Sequence, residues 1–436
     1  MSGLSSRVVH WRAAVAASPL LRHTALGTFW QLSRLLCQVV LLVVLARALG
    51  PTDYGMFAGF AGLATVLAGL SGLGSGMLLI KEVAADPRVW SRYWSGALRL
   101  SAGSGMVLLL LYALTAPHLL RIAAPLIAVL SLGAADLICY PLVYLAGFSF
   151  QAFERVGWAT ALPTSMAFAR LAGALAFLSA PIEHSLFNYA FFHMTASLLA
   201  TLFAIGSVHK HLHPTAERAW IPLREITRAL RFSANWFTSN ALGELDKSLA
   251  LRFSSPALAG TYTIAYRMGS ALATPVTTIV LASQPRLFAL TAANRRADIR
   301  ALAKKLIAIT CFYGAAATVA MLVLARLLPW LLGANYDAVR TAANMLVLFP
   351  FVFSIRLIAG SVLTSTGHPG LRASVEASAV VLMIVLAAII MPGRGLGGIV
   401  ITTLTTEVIL ATVLLYLTIV RLRRGNDYPA RLDNKA

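Results

Sequence analysis

Charge is scarce in this sequence: Asp, Glu, Lys and Arg make up 12% of its 436 residues. A water-soluble fold needs about a quarter of its residues charged to cover its surface, so a soluble globular protein is excluded. Hydrophobic residues account for 58% of the chain and mean hydropathy is +0.77. That excess excludes intrinsic disorder, which requires low hydrophobicity. Cysteine is nearly absent, and Cys37, Cys139 and Cys311 all sit in apolar runs. An odd number of such residues gives neither a disulfide framework nor metal-ligand spacing, and we read them as small buried hydrophobes. The chain also has no GxxxxGK[ST], HExxH, CxxC or nucleophile elbow, which sets aside an ATP-driven pump and the common hydrolase chemistries. No cleavable signal peptide is expected, because the apolar run after Arg7, Arg12 and Arg22 is too long for one.

What is present is a series of long apolar runs. A membrane-spanning helix needs about 20 mostly apolar residues. Twelve such runs can be laid out: 25–46, 55–80, 94–115, 123–148, 157–179 and 187–208, then 233–252, 258–283, 303–325, 341–365, 372–391 and 397–420. The expected fold is therefore an all-α polytopic membrane protein. Its 12 transmembrane helices form two six-helix lobes, 25–208 and 232–420. A cytoplasmic segment 1–24 precedes them and a basic tail 421–436 follows. The longest connection, 209–231, sets Trp220, Ile221, Leu223, Ile226 and Leu230 against Arg224, Arg228 and Arg231. That pattern reads as a basic amphipathic helix on the membrane surface.

The 36 basic residues exceed the 16 acids by 20. With the N-terminus placed inside, the inner connections hold 24 basic residues and the outer ones only six, Arg47, Arg121, Arg252, Arg326, Arg340 and Arg394. Cytoplasmic loops collect Lys and Arg, so this asymmetry puts both termini in the cytoplasm. It also accounts for most of the positive charge, and no nucleic-acid partner is called for.

Six basic residues remain inside the spans: Arg34, Arg99, Arg170, Lys247, Arg267 and Arg356. Five acids accompany them: Asp136, Glu244, Asp246, Glu376 and Glu407. A charge at mid-membrane costs on the order of 2.5–3.5 kcal/mol on insertion scales, so these groups must face a hydrated cavity or one another. Arg99 lies near an inner span end and can snorkel. Glu244 and Lys247, three apart on one helix, can neutralise each other, and Glu376 and Glu407 can pair with a span Arg. Asp136 follows Gly133-Ala134-Ala135 and is a candidate proton or cation site. His193 reads as a satisfied bundle histidine. Pro125, Pro141, Pro163, Pro275 and Pro350, with Gly69, Gly72, Gly74 and Gly76, fall inside the runs. They mark either bends or close helix packing.

The two halves share a motif. Pro51-x3-Gly55-x-Phe57 follows the first run and Pro256-x3-Gly260-x-Tyr262 follows the seventh, each position offset by 205 residues. Six spans intervene, so both motifs lie on the outer face. The halves are then parallel repeats about a pseudo-two-fold along the membrane normal, with substrate in the cleft and alternating access by rocking of the lobes.

The run Ala46-Arg47-Ala48-Leu49-Gly50-Pro51-Thr52-Asp53-Tyr54-Gly55 resembles the first loop of polysaccharide-exporting flippases. Gly69-Leu70-Ser71-Gly72-Leu73-Gly74 leading to Ile80-Lys81-Glu82-Val83 is similar too, as are Asp246-Lys247, Gly260 to Arg267, and Gly395-Leu396-Gly397-Gly398. Across residues 25–420 the chain resembles the Wzx-type O-antigen and exopolysaccharide flippases of the multidrug/oligosaccharidyl-lipid/polysaccharide exporter superfamily. The resemblance implies flipping of an undecaprenyl-pyrophosphate-linked oligosaccharide across a bacterial inner membrane through a cation-lined cavity. It implies no cofactor but a proton or sodium gradient. Its implied partners are the lipid-linked oligosaccharide, membrane lipid, and a polysaccharide polymerase with its chain-length machinery. Because Arg suits pyrophosphate, the substrate-binding candidates are Arg34, Arg170, Lys247, Arg267 and Arg356. The ion-coupling candidates are Asp136, Glu244, Asp246, Glu376 and Glu407. A multidrug antiporter would share this fold and prefer an acidic or aromatic cavity. A membrane glycosyltransferase or polymerase would usually carry a sizeable outer loop, and every outer connection here is short.

Overall fold

The computed structural model describes residues 19–215, 220–333 and 336–424. Arg7, Arg12, Arg218, Arg431 and Lys435, and the side chains of Arg22 and Arg424, lie outside the described residues, as do most of the N-terminal segment and the tail. Every regular element described is helical. In chain order these are α1 Pro19–Ala68, α2 Ser75–Ala85, α3 Trp90–Leu120, α4 Leu126–Ala134, α5 Tyr140–Ala152, α6 Val156–Ser179 and α7 Leu186–Leu212. They continue as α8 Leu223–Phe253, α9 Pro256–Ala292, α10 Arg296–Leu332, α11 Asp337–Met345, α12 Phe349–Ser365, α13 Pro369–Ile390 and α14 Gly395–Arg424. Among the described residues, nine helical segments are long and apolar enough to cross a bilayer, or ten if α11 and α12, bent by 44°, form one broken span. The first segment, Leu26–Ala85, has 60 residues, about three times a bilayer's hydrocarbon thickness at ~1.5 Å per residue.

The breaks in the helices are chemically specific. The outer loop expected around residues 46–55 is reduced to one non-helical residue, Gly50, with φ 69°. Glycine adopts that conformation without steric penalty, and Pro51 then restarts the helix where its missing N–H is not needed. The run 55–80, expected as one helix, is interrupted by a turn at Ser71–Gly74. There Gly72, Leu73 and Gly74 have φ of 73°, 49° and 80°. Of the five prolines expected inside spans, Pro125, Pro141 and Pro350 sit at or just inside helix starts, and only Pro163 and Pro275 are internal.

Between α4 and α5 the chain continues as a π turn, Ala135–Cys139. Pro141 cannot donate a backbone hydrogen bond to Leu137. The Leu137 carbonyl instead accepts from the Ser71 hydroxyl at 3.1 Å. The Cys139 carbonyl accepts from Thr201 at 3.2 Å and the Ala135 carbonyl from Arg170 at 3.3 Å. In lipid the Leu137 carbonyl freed by Pro141 needs such a partner, while the Ala135 carbonyl also accepts from the Tyr140 N–H, so the Arg170 and Thr201 bonds are further holds on the turn.

The chain forms two compact units. One comprises residues up to 49 together with 63–237, and the other 50–62 together with everything from 238 onward. This differs from lobes cut at 208 and 232: residues 50–62 cluster with the second half, and 209–237 with the first. In the first unit a core of Leu79, Val83, Trp94, Val143, Phe150 and Leu162 joins α2, α3, α5 and α6. A smaller cluster in the second unit joins Leu287, Ile299, Ala303, Ile358 and Val362.

The repeated motif explains the placement of residues 50–62. A methyl group on Gly55 would fall on the Pro256 carbonyl oxygen and lie 2.7 Å from the Gly260 nitrogen. One on Gly260 would fall on the Pro51 carbonyl oxygen, 3.0 Å from the Gly55 nitrogen. The two motifs thus cross reciprocally, as groups related by a two-fold axis must. The contact continues along the helices, with Gly59 against Leu251 and Gly62 against the Glu244 carbonyl. The Ser248 hydroxyl donates to the Gly59 carbonyl at 2.8 Å. Small residues let backbones approach this closely. Gly55→Leu and Gly260→Leu should each cost at least the ~1–3 kcal/mol typical of overpacking, because the obstacle is backbone. Gly103→Leu, with nothing within 4 Å of its Cβ position, should be tolerated. Monodisperse yield in detergent after gel filtration checks this, and equal yields for all three would contradict it.

Candidate functional site

In the first unit, the π turn directs Asp136 at Arg170 of α6. The Arg170 Nη2 donates to the Asp136 Oδ1 at 2.6 Å, and its Nε donates to the Ser197 hydroxyl at 3.0 Å. His193 of α7 brings its Nε2 within 3.8 Å of the same carboxylate oxygen, while its Nδ1 shares a 3.3 Å hydrogen bond with the Tyr189 hydroxyl. Arg170 also lies over the Tyr140 ring, 6.0 Å from its centroid. Asp136 and His193 are buried, at 4% and 2% exposure. Arg170 is therefore a cation with a resident counter-ion, and His193 adds a second titratable group to the pair.

Arg34 lies elsewhere in this unit. Its Nη1 donates to the Tyr144 hydroxyl at 3.0 Å and its Nη2 to the Gln31 side chain at 2.8 Å. Of the five candidate cations, it is the one with no carboxylate partner among the described residues. Tyr144 belongs to a ladder on one face of α5, with Tyr140 at 4.6 Å and Phe148 at 6.3 Å between ring centroids, closed by Trp236 at 5.8 Å.

The second unit gathers six charges. Lys247 is fully buried, over the Tyr266 ring at 3.8 Å, 3.1 Å from Asp246 and 3.5 Å from Glu244, and it donates to the Gly243 carbonyl. Arg267 reaches Glu244 at 3.7 Å. Asp246 also accepts a hydrogen bond from the Tyr262 hydroxyl, which shares a 2.8 Å hydrogen bond with Thr403. Arg356 of α12 lies with its Nε 3.0 Å from Glu407 of α14, its guanidinium over the Phe353 ring at 4.5 Å. Between Asp246 and Glu407 is a void of about 10 Å³, lined by Leu242, Tyr266, Met383, Thr403 and Thr406, room for about one water. Asp246, Lys247, Arg356 and Glu407 thus border one region of the unit. Glu376 is separate from it: Arg372, four residues earlier on α13, holds it at 2.7 Å.

Sequence reasoning missed Tyr262, Thr403 and Thr406. Their signals were available in Tyr262 and Tyr266, one turn apart, and in the hydroxyl-rich run Thr402-Thr403-Leu404-Thr405-Thr406 directly before Glu407. It also left His193 out of the Asp136 centre. Among the described residues no group of three or more His, Cys, Asp or Glu side chains has metal-binding geometry.

This architecture, a helical bundle with ion pairs buried inside its spans, is that of a multi-pass membrane transporter. Residues 20–291, more than half of the chain, match the family described as "Polysaccharide biosynthesis protein". The chain belongs to that family, whose members are membrane flippases and transporters and not enzymes. No curated protein matches it in sequence. Its fold is similar to that of an inward-facing multidrug resistance MATE family transporter of the MOP superfamily (13% identity, covering 93% of this chain and 96% of that one, TM-score 0.69). It is similar also to the lipid II flippase MurJ in an inward closed conformation (13%, 92% and 90%, TM-score 0.68). A third similar structure is a MOP superfamily transporter from Pyrococcus furiosus, described as having a binding pocket of reverse polarity (13%, 92% and 94%, TM-score 0.60).

Breaking a buried pair leaves an unpaired charge and costs about 3–5 kcal/mol, whereas replacing both partners is far better tolerated. Asp136→Ala should therefore destabilise the protein by about that much, and Asp136→Ala with Arg170→Leu should recover most of it. Thermal unfolding in detergent measures this, and a double variant no more stable than the single would contradict the pairing.

Proposed function

We propose that this protein is a lipid-linked oligosaccharide flippase. It moves undecaprenyl-pyrophosphate-linked glycan repeat units from the cytoplasmic to the periplasmic leaflet of a bacterial inner membrane, by alternating access, for O-antigen or exopolysaccharide biosynthesis. Membership of the polysaccharide biosynthesis family carries this reading. The proposed topology has twelve spans and cytoplasmic termini. The 60-residue first segment counts as two spans broken near Gly50, α8 as a span despite its charges, and α11 with α12 as one.

The ion pairs suggest how transport is coupled. Lys247, Arg267 and Arg356 each already hold a carboxylate. A pyrophosphate can take over such a cation if the carboxylate is neutralised first, by a proton or a sodium ion. Asp246 and Glu407 border one void with hydroxyls beside them and are the acids we assign to that role; Asp136 and His193 are the corresponding pair beside Arg170. The guanidinium fork then binds phosphate oxygens bidentately. Neutralising the acids favours binding of an anionic substrate. A multidrug antiporter, the second reading suggested by the likeness to a MATE transporter, would use the same acids for a cationic substrate, and neutralising them would oppose binding. The direction of the pH effect therefore separates the two.

The test is export of surface polysaccharide at matched protein level. Each charge-assisted hydrogen bond contributes about 1.5–3 kcal/mol, so Lys247→Ala and Arg356→Ala should each lower export about tenfold or more, with Arg356→Lys in between. Unchanged export in both Ala variants would remove the cationic site. In vesicles, Glu407→Gln should flip substrate at a rate indifferent to collapse of the proton and sodium gradients, whereas the natural protein slows. An antiporter would instead show drug binding that weakens on acidification.

A further inference from the structure

At the end of the first unit that the proposed topology places on the cytoplasmic side, α2 and the start of α8 border an open cavity of about 460 Å³, lined by Leu78, Lys81, Glu82, Glu225, Arg228, Ala229, Arg231 and Phe232. This is the size of a small-molecule site. Its acids are already engaged, since Glu225 accepts from the Tyr93 hydroxyl at 2.7 Å and Glu82 lies 3.4 Å from Lys81. Arg228 and Arg231, three residues apart on one face of α8, are exposed and have no hydrogen bond or ion pair among the described residues. The cavity therefore presents two uncommitted guanidinium groups. Phe232 of the lining is 41% exposed, and Trp220 and Leu223, at the start of the same segment, are 67% and 75% exposed, with Arg99 over the Trp220 ring at 5.5 Å.

We propose that this cavity binds the phosphodiester headgroup of an anionic phospholipid from the cytoplasmic leaflet, such as phosphatidylglycerol. Charge complementarity selects an anion, and the exposed Trp, Leu and Phe side chains select one that arrives with acyl chains, in place of free phosphate. An amphipathic segment with apolar residues on one side and Arg on the other lies at the interface where such headgroups are. The bound lipid then ties the connection between the two halves of the chain to the bilayer surface. The site is separate from the buried ion pairs and does not depend on the identity of the transported glycan.

The test uses the purified full-length protein in detergent, titrated with phosphatidylglycerol, phosphatidylcholine or inorganic phosphate while its thermal unfolding is followed. Phosphatidylglycerol should raise the unfolding temperature; phosphatidylcholine and millimolar phosphate should not. A basic residue near an anionic surface contributes about 1 kcal/mol, so Arg228→Gln and Arg231→Gln should each weaken phosphatidylglycerol affinity about fivefold. Arg224→Gln, the same charge change on the same helix but outside the cavity lining, loses no direct contact with the headgroup and, screened by salt, should change it by less than about twofold. Arg228→Lys, which keeps the charge, should retain most of the affinity and guards against a folding defect. An equal loss for Arg224→Gln would mean diffuse surface attraction and overturn the site. So would full competition by inorganic phosphate, or unchanged affinity in both cavity variants.

Discussion

An ion inside a bilayer must bring its counter-ion with it, and most of the polar architecture of this protein follows from that requirement. Arg170 holds Asp136, Lys247 holds Asp246 and Glu244, Arg267 reaches Glu244, Arg356 meets Glu407, and Arg372 holds Glu376. At low effective dielectric such attractions are large, but so is the desolvation they must offset. A nonpolar substitute would serve stability equally well or better. Ion pairs retained in the spans are therefore more informative about function than about folding, and their pairing limits what that function can be.

A paired cation is not an open anion site. Under the proposed function it is one half of an exchange, in which the incoming phosphate must displace a tethered carboxylate that is already within reach. A ligand shifts such an equilibrium only by its difference in affinity between the two arrangements. In the proposed mechanism a proton or sodium ion on the carboxylate supplies that difference, since it removes the competitor. Seen this way, the substrate-binding and ion-coupling candidates are not two groups of residues. Each paired cation belongs with the acid beside it, Arg34 standing apart, and in the proposed mechanism coupling is a property of the pair.

The helical class, the membrane setting and most of the charged residues could be read directly from the sequence, because hydropathy and the cost of a buried charge are local properties. The Pro51/Gly55 and Pro256/Gly260 repeat was also legible, although its outcome was not. An offset of 205 residues implies equivalent places in two halves, but not that the motifs would touch and draw residues 50–62 into the second unit. Pairing was the least legible feature. Glu244 with Lys247 follows from helical spacing, whereas Asp136 with Arg170, and Arg356 with Glu407, join helices that the sequence cannot orient. His193 was set aside because a lone histidine in an apolar helix is usually satisfied locally. Its Tyr189 contact fits that expectation, and its approach to Asp136 goes beyond it.

The uncharged polar residues answer to the same scarcity of partners. At the π turn Ser71 occupies the carbonyl that Pro141 releases, and Thr201 and Arg170 donate to two more. Where helices approach closely, Ser233 and Ser248 donate across to the carbonyls of Gly69 and Gly59. Arg170 holds both a carboxylate and a carbonyl of the π turn, so the first charge centre is fastened to the break in the α4–α5 helix. Displacing Asp136 from Arg170 would therefore disturb the turn that carries Asp136 itself. The centre in the second unit has less of this attachment, because Arg356 and Glu407 lie on helical backbone. Under the proposed exchange, that difference makes the pair in the second unit the freer to change its partner.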